Sequence, residues 1–116
     1  MTAAAPLLRV IVSVGSLADG LRFYRDVVGL PVVRSSERFG WLATEEGVEV
    51  LLHQRPATPS DAAVALTFGV ADVDAAVADW SAQGGAVIDP PETQPWGERM
   101  AVVRDADGHV VCLVQR

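Results

Sequence analysis

The chain is short of three things, each of which would have pointed to a class of protein. It has a single cysteine, Cys112, in 116 residues, which excludes an internal disulfide and any multi-thiolate metal site. No apolar run reaches the roughly 18 residues that a membrane-spanning helix needs, and residues 1–6 lack the charged start and long apolar core of a secretory leader. A cytoplasmic protein with no membrane partner is expected. Basic charge is scarce as well: nine Lys and Arg stand against fifteen Asp and Glu, for a net charge of -6. That balance disfavours nucleic acid, whose phosphates need a basic face. Half of the residues are apolar, enough to bury one modest core, so a single compact domain over residues 1–116 is expected.

What is present is strongly patterned. Arg99–Arg104 and Val110–Val114 are β-branched runs either side of Asp105-Ala106-Asp107-Gly108, which predicts a hairpin with the Asp side chains and Gly108 shaping the turn. At the other end, Leu7–Val14 reads as a strand with Leu8, Val10, Val12 and Val14 on one face and Arg9, Ile11 and Ser13 on the other. Ser16 caps a helix whose stripe is Leu17, Leu21, Tyr24 and Val28, ending at Gly29. Leu30–Ser36, Phe39–Thr44 and Val48–Gln54 read as three strands. After a proline-bearing linker the order restarts: a strand with Val64, Leu66, Phe68 and Val70 on one face, a helix capped by Asp72 with Val73, Val77 and Trp80 as its stripe, Gly84-Gly85, a short strand over Ala86–Asp89, a loop over Pro90–Gly97, and the hairpin.

The second half repeats the first. Val14/Val70, Leu17/Val73, Leu21/Val77, Tyr24/Trp80 and Gly29/Gly85 match at a spacing of 56, and Gly47/Gly108, Gln54/Gln115 and Arg55/Arg116 at 61. The prediction is an α+β fold of two βαβββ modules (module one 7–55, linker 56–62, module two 63–116), each burying a helix on the outer face of a curved mixed sheet, with the inner faces joined into a cup.

The lead-in Pro95-Trp96-Gly97-Glu98-Arg99 with the hairpin, the helix end Leu21-Arg22-Phe23-Tyr24-Arg25-Asp26-Val27-Val28-Gly29-Leu30, and Ala71-Asp72-Val73-Asp74-Ala75-Ala76 together resemble the vicinal oxygen chelate superfamily. It includes glyoxalase I, extradiol dioxygenases, fosfomycin-resistance transferases and bleomycin-resistance proteins. The metal-dependent members imply His and Glu or Gln on four strands facing the cup. Here those places fall on Arg9, Val50 or Leu51, Ala65 and Cys112, so no metal and no other cofactor is expected: guanidinium has no lone pair to donate and Val, Leu and Ala have no donor.

The resemblance then implies a metal-independent small-molecule binder like the bleomycin-resistance proteins. The alternative is a metal-free enzyme of isomerase, lyase or hydrolase type using Arg9, Ser13, Thr67 or Cys112; a third class is a module with no ligand. The ligand-binding set is Arg9, Ser13, Trp41, Thr67, Trp96, Arg99 and Cys112, with Trp41 and Trp96 as flat walls for an aromatic, zwitterionic or cationic molecule. Arg9 facing a cup requires a carboxylate, open water or an anionic ligand group. His53 and His109 read as solvated polar residues, Glu45, Glu46 and Glu49 as a solvated turn, Cys112 as a small apolar residue, and Trp80 as core. Thin sheets with open edges predict a homodimer.

Overall fold

The computed structural model describes residues 3–116. Module one contains β1 (Arg9–Val14), α1 (Leu17–Tyr24), β2 (Val32–Ser35), β3 (Phe39–Ala43) and β4 (Glu49–Gln54). Module two contains β5 (Leu66–Val70), α2 (Val73–Ala82), β6 (Ala86–Thr93), β7 (Arg99–Arg104) and β8 (Val110–Gln115). Each builds a four-stranded mixed sheet, ordered β1-β4-β3-β2 and β5-β8-β7-β6, with the first and last strand of the module paired in parallel. This is the α+β architecture of two βαβββ modules that the repeat predicts.

The repeat extends to individual hydrogen bonds. Ser16 Oγ accepts from the Asp19 amide at 3.2 Å, and Asp72 Oδ1 from the Ala75 amide at 3.1 Å, so each helix has its capping side chain. Gln54 Oε1 accepts from the Leu17 amide at 2.8 Å, and its match Gln115 accepts from the Val73 amide at 2.9 Å. A glutamine at the end of the module's last strand thus satisfies an amide that the first helical turn leaves open.

Alternation along the strands separates an inner layer from an open face. Val12, Val14, Leu42, Val50 and Leu52 in module one, and Val70, Ala101, Val103, Val111 and Leu113 in module two, are buried in one core with Phe23, Tyr24 and Trp80. The modules meet there. Phe23 and Trp80 rings lie 4.7 Å apart and Tyr24 meets Phe68 and Trp80 edge-on. The Tyr24 hydroxyl donates to Asp105 Oδ2 at 2.6 Å, Asp107 Oδ1 accepts from the Gly15 amide at 2.9 Å, and His109 Nε2 donates to the Ser13 carbonyl at 2.7 Å. Asp105 Oδ1 also accepts from the amides of Asp107 and His109. The Asp-x-Asp-Gly turn is therefore formed as its residues predict, and it also latches module two onto module one.

Four local expectations need correction. The regular helix α1 ends at Tyr24, and wider bonds from the Asp26 and Val28 amides to Leu21 and Phe23 carry the chain to Gly29, whose φ of 84° closes the turn. Phe23, absent from the predicted stripe, is fully buried, because α1 is covered by Trp80 of the other module as well as by its own sheet. Strand β6 runs through Pro90 and Pro91 to Thr93, where a loop was expected. It is an edge strand with register shifts at Val87/Asp89 and Asp89/Glu92, and an edge with bulges tolerates residues that lack an N–H. Val64 precedes β5 and is 83% exposed, so the predicted apolar face begins only at Leu66.

Candidate functional site

On the open face of the first sheet, the ladder register places Arg9 beside Glu49, Ile11 beside Leu51, and Ser13 beside His53. Continuing across, Leu51 pairs with Trp41 and Trp41 with Arg34. The face is thus a grid in which each side chain's neighbours are dictated by strand pairing. Arg9 forms an ion pair with Glu49 at 2.8 Å, so of the three environments its position allows it has a carboxylate. Its guanidinium carbon lies 4.9 Å from the Trp41 ring centroid, and that of Arg34 lies 4.1 Å from the same centroid. Two cations against one indole hold the ring in place by cation–π attraction. Leu51 is only 6% exposed although it lies on this open face, consistent with the Trp41 side chain beside it. Further along, Phe39 and His53 stack at 4.3 Å, and Ser13 Oγ accepts from Arg55 Nε at 2.7 Å.

The predicted ligand residues fall into separate groups. Arg9, Ser13 and Trp41 share the first sheet's open face. Thr67 and Cys112 are cross-strand partners on the second sheet, Thr67 exposed and Cys112 half-buried. Trp96 sits in the β6–β7 turn, 64% exposed, with Nε1 donating to Glu98 at 2.7 Å. Arg99 does not join any of them: it lies two residues before the core residue Ala101 on the helix side of β7 and makes a two-pronged pair with Asp74 of α2, at 2.8 and 2.9 Å.

Arg34 and Glu49 complete the Trp41 group and were absent from the predicted set. Glu49 belongs to β4 and pairs with Arg9 instead of lying in a solvated turn, while Val50 or Leu51 is the fourth-strand place that the family resemblance implies for a metal ligand. Val50 faces the helix at 2% exposure and Leu51 lies level with Ile11. Five residues back from Val14 is Arg9 and five back from its ladder partner Gln54 is Glu49, so the parallel register of β1 and β4 carries the signal. His109 and Glu45 were also read as solvated; His109 is half-buried on the Ser13 carbonyl, while exposed Glu45 pairs with Arg116 at 3.3 Å.

Among the described residues, clefts run between the modules. One of about 560 Å³ lies between β5 and the β3–β4 turn and includes Thr67 and Arg116. The other, about 430 Å³, includes Ser13, Tyr24 and His109. Neither is lined by Trp41, so the aromatic platform is an open wall and the clefts are seams between modules.

The donor set on the open faces does not fit a divalent ion. Glu49 is neutralised by Arg9, and on the second sheet's open face the ladder sets Asp89 in one row with Cys112 and Thr67 and Glu92 in the next, but among the described residues these do not gather into a group of three ligand atoms. His53 sits where burial, and then the charges of Arg55 and Arg38, push its pKa below the usual imidazole value, a field that also repels a cation. Asp105, Asp107 and His109 bring ligand-type atoms within 4.8 Å of one another. Both oxygens of Asp105, Oδ1 of Asp107 and Nε2 of His109 are already committed to Tyr24 and to backbone groups, so this cluster is accounted for as the latch. Burial, followed by the Asp105 charge, raises the Tyr24 pKa well above that of an ordinary phenol.

Tandem βαβββ modules, each with one helix-covered and one open sheet face, define the glyoxalase-like class of α+β folds. The model of the Glyoxalase/Bleomycin resistance protein/Dioxygenase superfamily matches residues 7–113, and the chain belongs to that superfamily. Among solved structures it is similar to a glyoxalase-related enzyme from Fulvimarina pelagi (TM-score 0.83, 19% identity, 97% of this chain and 89% of the other). It is also similar to TnmS3, an antibiotic binding protein from Streptomyces sp. CB03234 (TM-score 0.74, 26% identity, 99% and 98%). A third is a family enzyme from Burkholderia phytofirmans PsJN (TM-score 0.80, 19% identity, 96% and 98%). No curated protein sequence matches the chain. No helix among the described residues is long and apolar enough to cross a membrane.

Proposed function

We propose that this chain is a metal-independent small-molecule-binding protein that sequesters a flat aromatic compound, acting in the cytoplasm as a homodimeric single-domain subunit. The observation that carries the reading is Trp41, a ring held on an open sheet face by Arg9 and Arg34. A ring flanked by two guanidiniums has little freedom left to lose when a ligand stacks beside it, which favours affinity. The likeness to an antibiotic binding protein at 26% identity supports a small-molecule ligand. An open wall needs a lid, and the second sheet of another copy is its natural source. Leu7, Leu8, Ile11 and Val64 are 56–83% exposed at the starts of β1 and β5, apolar surface that a dimer would cover.

The test is calorimetric titration and thermal shift across a library of aromatic natural products, on protein checked for metal by elemental analysis. A proven ligand should bind Trp41→Ala about tenfold more weakly, the effect of losing roughly 0.5–2 kcal/mol of ring contact. Light scattering should give about twice the 12.3 kDa chain mass. Equal binding by Trp41→Ala and Trp96→Ala, or one retained divalent ion per chain, would refute the reading.

A further inference from the structure

Arg34 is paired with a ring and with no acid. Among the described residues the guanidiniums within ion-pair distance of a carboxylate are those of Arg9, Arg22, Arg25, Arg99 and Arg116. Arg34 is exposed and lies 4.1 Å from the Trp41 centroid. Arg9, at 4.9 Å from that centroid, is within about 9 Å of it, and Glu49 balances only one of the two charges. The other end of the same face tells the same story. Arg55 is tied to the Ser13 hydroxyl, which leaves its charge uncompensated, and the positive charges of Arg55 and Arg38 both act on His53. The first module's open face is therefore electropositive in a chain whose net charge is -6.

We infer that this face selects an aromatic acid: a flat ring bearing a carboxylate or a comparable oxyanion, with the oxyanion on Arg34 and the ring along Trp41 toward Ile11. This rests on the small-molecule reading above and specifies its ligand class. The geometry follows from the ladder, in which Arg34, Trp41, Leu51 and Ile11 form one row across four strands. At about 4.8 Å between strands the row is about 14 Å long, room for a two- or three-ring acid. A cation is at one end, and Ile11, 56% exposed, is the apolar stop at the other. A guanidinium held against an indole keeps its in-plane N–H groups directed outward, the arrangement that grips a carboxylate with two parallel bonds. The same two arginines already occupy the attraction that Trp41 offers to a cation, so a cationic ring finds competition and repulsion there.

The experiment uses three probes with one ring system: 2-naphthoate, 2-naphthylmethanol and 2-naphthylmethylammonium, titrated calorimetrically at low salt into the parent, Arg34→Gln and Arg34→Lys. The parent should bind the acid about tenfold more tightly than the alcohol, and the ammonium most weakly. Arg34→Gln should erase the preference for the acid, while Arg34→Lys keeps part of it, because a point charge lacks the planar fork. Added salt should weaken only the acid. Melting of the variants checks that the exposed substitution leaves the fold intact. An acid that binds no better than the alcohol, an acid preference that survives Arg34→Gln, or a preferred ammonium would overturn the inference and leave the small-molecule reading standing. No binding of any probe at millimolar concentration would count against both.

Discussion

Tyr24→Phe removes one oxygen from the only tyrosine in the chain and tests the latch between the modules. Tyr24 is 1% exposed, and its hydroxyl donates to the buried Asp105 carboxylate at 2.6 Å. A hydrogen bond to a charged group contributes about 1.5–3 kcal/mol, and the carboxylate keeps its two amide donors, so about 2 kcal/mol should be lost. For 116 residues at ~2.1 cal/mol/K each, the unfolding entropy is about 0.24 kcal/mol/K, which converts the loss into a melting point about 8 °C lower. Circular-dichroism melts and urea titrations measure both quantities. Alkaline pH supplies a second, independent readout. The folded-state pKa of Tyr24 is raised, by burial first and the Asp105 charge second, so its stabilisation is intact below the ordinary phenol value near 10. Above that pH the unfolded chain ionises and the native protein does not, so stability falls with rising pH in the parent and not, from this source, in the variant. The gap between the two should narrow above about pH 10. A variant within 0.5 kcal/mol of the parent at neutral pH, with a gap that ignores pH, would show that the latch contributes nothing.

Two further outcomes follow from the geometry. A Cβ on Gly85 would fall onto the Trp80 indole and within 2.8 Å of Phe23, whereas one on Gly84 meets nothing within 4 Å, so Gly85→Ala should cost about 3 kcal/mol or more in urea unfolding. Gly84→Ala, strained only by its φ of 92°, should cost about 1 kcal/mol; equal costs would refute the packing of the two aromatic rings. His53 should titrate below 6.5 by NMR, because burial, then Arg55, then Arg38 oppose its protonation. Its lowered pKa means that the unfolded chain takes up the proton first as pH falls below that value, so this group's stabilisation is present above it and fades below. Arg55→Gln should move the titration back upward; an unchanged value would contradict the electropositive face.

Features that depend on near neighbours and on the repeat are legible in the residues alone. Ser16 and Asp72 cap helices because a short oxygen-bearing side chain three residues before an amide can do so wherever it stands. The alternation in β1 separated Val12 and Val14 from Arg9 and Ser13, and Asp105–Gly108 formed its turn from its own residues. Tertiary structure decided the partners. Arg9 meets Glu49, 40 residues away, through a ladder register in which a slip of one residue turns every side chain to the other face. Arg34 meets Trp41 through the pairing of β2 with β3, and Tyr24 meets Asp105, 81 residues on, only once the modules have docked. Local patterns specify which face a side chain takes, but which distant group shares that face depends on register and docking, and here those two choices made both the Trp41 platform and the latch.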